Sequence, residues 1–127
     1  MGKFLIRQVA TGIKFDLKAA NGETIATSEV YNTMAACRKG IDSVCRCAPK
    51  AKLEDQTVPD TRPATNPKFV LYQDKAGNYR FRLCARNGSI IAISEAYNSK
   101  SGCIECMESV KKNIISLEIS ENSGNCY

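Results

Sequence analysis

The sequence predicts an α+β fold: tandem β-β-β-α-β repeats forming one antiparallel sheet, with two helices on one face. Three observations carry this reading. The chain repeats itself. At an offset of 66, residues 15–48 and 81–114 share 14 identities, including Phe15/Phe81, Leu17/Leu83, Ile25/Ile91, Ser28/Ser94, Glu29/Glu95, Tyr31/Tyr97 and Cys37/Cys103. Each copy carries Asn-Gly (21-22 and 87-88) between alternating apolar residues. That is a hairpin signal, because a two-residue type I′ turn needs positive φ at both centres. After Tyr31-Asn32 and Tyr97-Asn98 the apolar spacing changes from two to that of a helix.

Lys3 to Val9 alternates, with Phe4, Ile6 and Gln8 on one side and Leu5 and Arg7 on the other. Gly12 closes a turn into a second strand, Lys14 to Ala20, and Asn21-Gly22 sends the chain back as Glu23 to Ser28. A two-residue turn pairs Leu17 with Ala26 and Phe15 with Ser28 on a core face. Lys18/Ile25, Asp16/Thr27 and Lys14/Glu29 then share the other face, with Arg82/Ile93, Cys84/Ile91 and Arg80/Glu95 as their counterparts. Cys37, Ile41, Val44 and Ala48 make one helical stripe, capped by Thr33 or Asn32 and ended by Pro49. Cys103, Met107, Val110 and Ile114 repeat it, capped by Asn98 or Ser99. A short strand follows each helix, at Ala51 to Asp55 and Ile115 to Ser120. Before residue 15 the offset is 65, which places one lost residue near the first turn of the first copy.

The organisation is therefore residues 1–55, a linker at 56–66 containing Pro59 and Pro63, residues 67–121, and a tail at 122–127. Fifty residues with one helix bury little core, so each copy serves as the other's partner and the molecule is expected to be a monomer. Net charge is +5, spread without a run of like sign, which permits weak attraction to nucleic acid or acidic partners. No apolar run reaches the ~20 residues of a membrane helix, and Met1 to Arg7 is too short a stretch for a secretory signal; the expected address is the cytoplasm.

Ala76-Gly77-Asn78-Tyr79-Arg80-Phe81-Arg82-Leu83, Ala85-Arg86-Asn87-Gly88-Ser89-Ile90-Ile91-Ala92, Ser94-Glu95-Ala96-Tyr97-Asn98-Ser99-Lys100, Cys103 and Ser109-Val110-Lys111-Lys112-Asn113 together resemble the YegP-like family of small uncharacterised proteins. The likeness covers nearly all of the chain outside linker and tail. It departs in the first copy, where Cys45-Arg46-Cys47 stands against Lys111-Lys112-Asn113. The resemblance implies one sheet built from two β3-α-β units that exchange their last strands. Lys52 to Asp55 would lie in the second half and Ile115 to Ile119 in the first. It brings no activity and no catalytic residues.

Chemistry is sparse. There is no His, so imidazole bases and triads are absent, and no glycine-rich phosphate loop occurs. Seven cysteines without a secretory signal argue against a disulfide framework. Cys103-x-x-Cys106 offers a redox or metal-linked alternative, although Cys45-x-Cys47 lacks the usual zinc spacing. No cofactor and no metal site is predicted. The better candidate is the open sheet face, carrying Arg7, Lys14, Lys18, Tyr72, Arg80 and Arg82. Basic residues with an aromatic on a sheet suit single-stranded nucleic acid. Exposed Ile25, Ile91, Ile93 and Val70 would instead suit a protein partner. The expected function is a small non-enzymatic binding or structural module.

Overall fold

A computed structural model describes residues 3–19, 21–113 and 118–121. Three strands open each half: β1 (Lys3–Val9), β2 (Gly12–Lys18) and β3 (Thr24–Thr27), then β5 (Lys68–Gln73), β6 (Tyr79–Cys84) and β7 (Ile90–Ser94). Helices α1 (Met34–Cys47) and α2 (Lys100–Asn113) follow, and short strands β4 (Lys52–Asp55) and β8 (Glu118–Glu121) close the halves. The strands make one eight-stranded sheet in the order β4-β5-β6-β7-β3-β2-β1-β8. The third strands of the two halves meet antiparallel at its centre, Ala26 opposite Ser94 and Thr27 opposite Ile93. That contact marks the pseudo-two-fold axis. The sheet is mixed rather than wholly antiparallel: β4 runs parallel to β5, and β8 parallel to β1. Each closing strand thus lies beside the first strand of the other half. Residues 115–117, part of the expected last strand, and the tail at 122–127 lie outside the described residues.

The hairpins correct the two-residue turn. Ala85 N–H donates to the Ser89 carbonyl (2.8 Å) and Gly88 N–H to the Ala85 carbonyl (2.9 Å), so Arg86, Asn87 and Gly88 form a three-residue loop. Gly88 supplies the positive φ, +86°. Ala19, Gly22 and Glu23 make the same bonds in the first copy. Each asparagine works through its side chain, Asn21 Oδ1 accepting from Glu23 N–H and Asn87 Oδ1 from Ser89 N–H (both 3.0 Å). The longer loop shifts the return strand by one residue. Lys18 pairs with Thr24 and Cys84 with Ile90, yet Leu17 still pairs with Ala26 and Leu83 with Ala92. Ile25 and Ile91 are the extra residues of β-bulges, and both join the common core. They leave the open face on which alternation placed them.

Both helices bury the described residues of their predicted stripes against the sheet; Ile114 lies outside the described residues. Thr33 Oγ1 caps α1 by accepting from Ala36 N–H (3.0 Å), and Ser99 Oγ caps α2 by accepting from Gly102 N–H (3.1 Å). Cys37, Ile41 and Val44 share one core cluster with Cys103, Met107 and Val110. Edge-on pairs Phe4–Phe15 (5.6 Å between centroids) and Phe69–Phe81 (5.5 Å) repeat across the axis.

Residues 56–66 are anchored. Gln56 N–H donates to the Leu71 carbonyl, Thr61 Oγ1 to the Asp55 carbonyl, and Ala64 N–H to the Glu54 carboxylate. The segment is a strap bordering the second half of the sheet, not a free linker.

Candidate functional site

Register decides which side chains share a face, since directly paired residues point the same way. Leu5, Asp16, Thr27, Ile93, Arg82, Val70 and Glu54 form one continuous row across seven strands, on the side away from the helices. Arg7 opposite Lys14 and Lys3 opposite Lys18 flank that row in the first half. Tyr72 opposite Arg80 and Lys68 opposite Cys84 flank it in the second. All six predicted residues therefore lie on the open face, in two groups. Lys14 and Lys18 on β2 stand three strand spacings from Arg80 and Arg82 on β6, about 14 Å.

Each group has its own wiring. In the first half Arg7 Nε donates to Asp16 (2.7 Å), and Asp16 also accepts from Thr27 Oγ1 (2.8 Å), which buries its carboxylate. Lys18 Nζ donates to Thr24 Oγ1 (2.7 Å). In the second half the positions equivalent to Arg7 and Asp16 are Tyr72 and Arg82. The ion pair is replaced there by a cation over a ring, with the Arg82 guanidinium carbon 4.8 Å from the Tyr72 centroid. Arg80 donates to Asp74 (2.8 Å) and to the Ser94 carbonyl (3.2 Å), not to Glu95 as cross-strand pairing suggested. Asp74 raises the Arg80 pKa and is itself held below the usual carboxylate range by that bond.

Apolar exposure on this face is lower than expected. Val70 is 2% exposed, and the large hydrophobics that stand out among the described residues are Val30 and Leu53, both off the face. Beside the strap, Val70, Cys84, Ile90, Arg82 and Lys68 line a shallow depression of about 340 Å³. Lys68 is neutralised there by Glu54 at 2.7 Å. The Glu54 carboxylate, held by Lys68, the Ala64 N–H and Gln56, is pulled down to about 2.

Sequence reasoning passed over Lys3, which alternates with Leu5 and Arg7 and was findable on that ground. It also passed over two clefts where a helix of one half approaches the hairpin of the other. No signal within either half encodes those.

The serines repeated at 28 and 94 have a structural role. Ser94 Oγ accepts from Phe81 N–H (2.8 Å) and donates to the Glu95 carbonyl (2.8 Å); Ser28 does the same for Phe15 and Glu29. Of the Cys103-x-x-Cys106 pair, Cys103 is placed poorly for thiolate chemistry. Cys103 is fully buried, and burial with Cys106 nearby pushes its thiol up to about 11. Cys106 shares a hydrogen bond with the Tyr97 hydroxyl. Among the described residues no three Cys, Asp or Glu side chains gather as metal ligands, and no helix is long and apolar enough to cross a membrane.

The model of a family described as a domain of unknown function, DUF1508, matches residues 10–55 and 74–121, one segment in each half. A UPF0339 protein of Photorhabdus laumondii is 36% identical over 107 residues, 84% of this chain and 81% of that one. The UPF0339 protein YegP of Escherichia coli O157:H7 is 34% identical over 110 residues, 87% and 86% of the two chains. A shorter UPF0339 protein of Methanosarcina acetivorans is 59% identical over 46 residues, 36% of this chain and 79% of that one. The solution NMR structure of yegP from E. coli, titled a protein of unknown function, superimposes with a TM-score of 0.77 at 30% identity, covering 95% of this chain and 92% of that one. A UPF0339 protein from Shewanella oneidensis does so at 0.76 and 27% identity, covering 94% and 90%.

Proposed function

The chain belongs to the DUF1508 family, and from that premise we propose that it is a non-enzymatic binding module whose open sheet face holds single-stranded nucleic acid. One observation carries the reading. Two like-charge cross-strand pairs, Lys3/Lys18 and Arg7/Lys14, flank Asp16 on that face, and the one other acid in register with them among the described strands is Glu118 of β8, opposite Lys3. Like charges directly opposite each other destabilise a sheet, and an anionic partner removes the cost. The Tyr72–Arg82 stack adds a flat cationic platform on which a base can lie. Of the apolar residues that favoured protein docking, Ile25 and Ile91 belong to the core and Val70 is buried on the open face, which leaves Ile93 half-buried there. That tips the choice from a protein partner to nucleic acid.

The test is fluorescence anisotropy with labelled single-stranded DNA and RNA of mixed sequence at low and moderate salt. Four cations against two acids predict a log–log salt slope of roughly 1.5, and the Lys14→Glu/Lys18→Glu variant should bind about tenfold more weakly or worse. No binding at low salt, or an unchanged affinity in the variant, would sink the proposal. Preference for polyglutamate over nucleic acid would overturn it in favour of an acidic protein partner.

A further inference from the structure

Two clefts, each between a hairpin of one half and the helix of the other, carry opposite charge. One, of about 570 Å³, lies between the first hairpin and α2 and is lined by Glu23, Glu95 and Glu105. The other, of about 320 Å³, lies between the second hairpin and the end of α1 and is lined by Arg46, Lys50 and Arg86. Its lining contains no carboxylate among the described residues. The α1 dipole favours Arg46 and Lys50, which sit in and just beyond its last turn. It does not account for Arg86, which arrives from the other half on the tip of the β6–β7 hairpin. Asp42 pairs with Arg46 through one guanidinium nitrogen (3.1 Å), in an exposed i,i+4 contact that a bound anion can displace at little cost.

We propose that this cleft is a binding site for a small organic phosphate of mononucleotide size, separate from the open face. Two arginines from different halves suit a phosphate, because each guanidinium presents a planar fork of donors to its oxygens, and Lys50 adds a point charge. Ser43 supplies a neutral hydroxyl beside them. Pro67 and the buried Ala85 give an apolar wall for the organic part. The volume lies at the lower end of small-ligand sites. Free phosphate meets the same cations but leaves the apolar wall unused.

The experiment is an amide-shift titration of the full ¹⁵N-labelled chain with adenosine 5′-monophosphate, inorganic phosphate and adenosine as separate probes. Saturable shifts confined to residues 43–50 and 85–88 are expected with the nucleotide. Phosphate should bind about tenfold more weakly, and adenosine should leave the spectrum unchanged. Arg46→Gln/Arg86→Gln should weaken the nucleotide about tenfold or more, whereas Glu23→Gln in the opposite cleft and Lys14→Glu/Lys18→Glu on the open face should not. Both arginines are exposed, so the variant keeps its fold, and an unchanged spectrum outside the cleft verifies that. Non-saturating shifts, shifts centred on the open face, equal affinity for phosphate and nucleotide, or indifference to the arginine variant would each overturn the site.

Discussion

At the scale of single residues, two polar groups carry more of the fold than their chemistry suggested. Ser94 is 1% exposed and makes two bonds to the main chain, standing in for a strand neighbour where β7 ends. Ser94→Ala leaves the Phe81 N–H and the Glu95 carbonyl without those partners and should cost about 1–3 kcal/mol in a urea titration, with Ser28→Ala comparable. A loss under ~0.5 kcal/mol would show that water replaces the hydroxyl. Glu54 sets a pH dependence. Its folded-state pKa of about 2 lies below the ordinary 4.5, because Lys68, the Ala64 N–H and Gln56 all bond to the charged form. A depressed carboxylate contributes stability above its unfolded pKa and loses it as pH falls through the folded value. Urea midpoints should therefore fall from about pH 4.5 toward pH 2, and Glu54→Gln should flatten that slope. An equal slope in the variant would assign the acid sensitivity to other groups. The repeat made Ser94 and Ser28 visible in the sequence, but not their role, because a serine that links two strands' main chains looks like any polar residue there.

At the scale of elements, alternation and the helical stripe placed every strand and helix of the described chain near its observed bounds. The same alternation misplaced Ile25 and Ile91. Asn-Gly marks a turn reliably, yet it does not choose between a two-residue loop and a three-residue loop with a bulge, and the bulge takes up the extra residue so that only Ile25 and Ile91 change face. Gly40 shows the same limit in a helix. Within α1 it looks like a costly gap, since glycine disfavours a helix by about 1 kcal/mol relative to alanine. A Cβ there would lie 2.7 Å from the Tyr31 ring carbon that bears the hydroxyl, and that ring is stacked on Phe15 (6.3 Å, 10°). In the second half the equivalent residue is Cys106, hydrogen-bonded to Tyr97, so the two copies solve one contact in two ways. Gly40→Ala should destabilise by about 1–3 kcal/mol despite the better helix former, and adding Tyr31→Phe should recover part of the loss. Thermal melts of the two variants check it. A stabilised Gly40→Ala would mean that the tyrosine moves freely.

At the scale of the whole molecule, neither half is complete. Strand β4 belongs by sequence to the first half but pairs with β5, while β8 belongs to the second and pairs with β1. Lys100 at the start of α2 bonds to Asp55 at the end of β4 (2.7 Å), tying the first half's closing strand to the second half's helix. Both helices bury into one core cluster, so separating the halves exposes apolar surface on each. Residue pattern alone reached the two units and their shared core. It could not give the parallel edges, because a four-residue strand carries no mark of its partner's direction. A cut within the strap, between Asp60 and Thr61, should leave the complex intact, because the strap orders the chain but contributes no residue to the core cluster. Each fragment made alone lacks the partner of its closing strand and half of its core, so it should not be a folded monomer. The pseudo-two-fold axis gives each fragment one remedy, pairing with a second copy of itself through its β3 or β7 edge. Circular dichroism of each fragment should then depend on concentration, and mixing the two should give a heterodimer more stable than either self-pair. A fragment that melts cooperatively at a concentration-independent temperature would show that the halves are separate domains joined by a strap, and the shared core would lose its role as the source of stability.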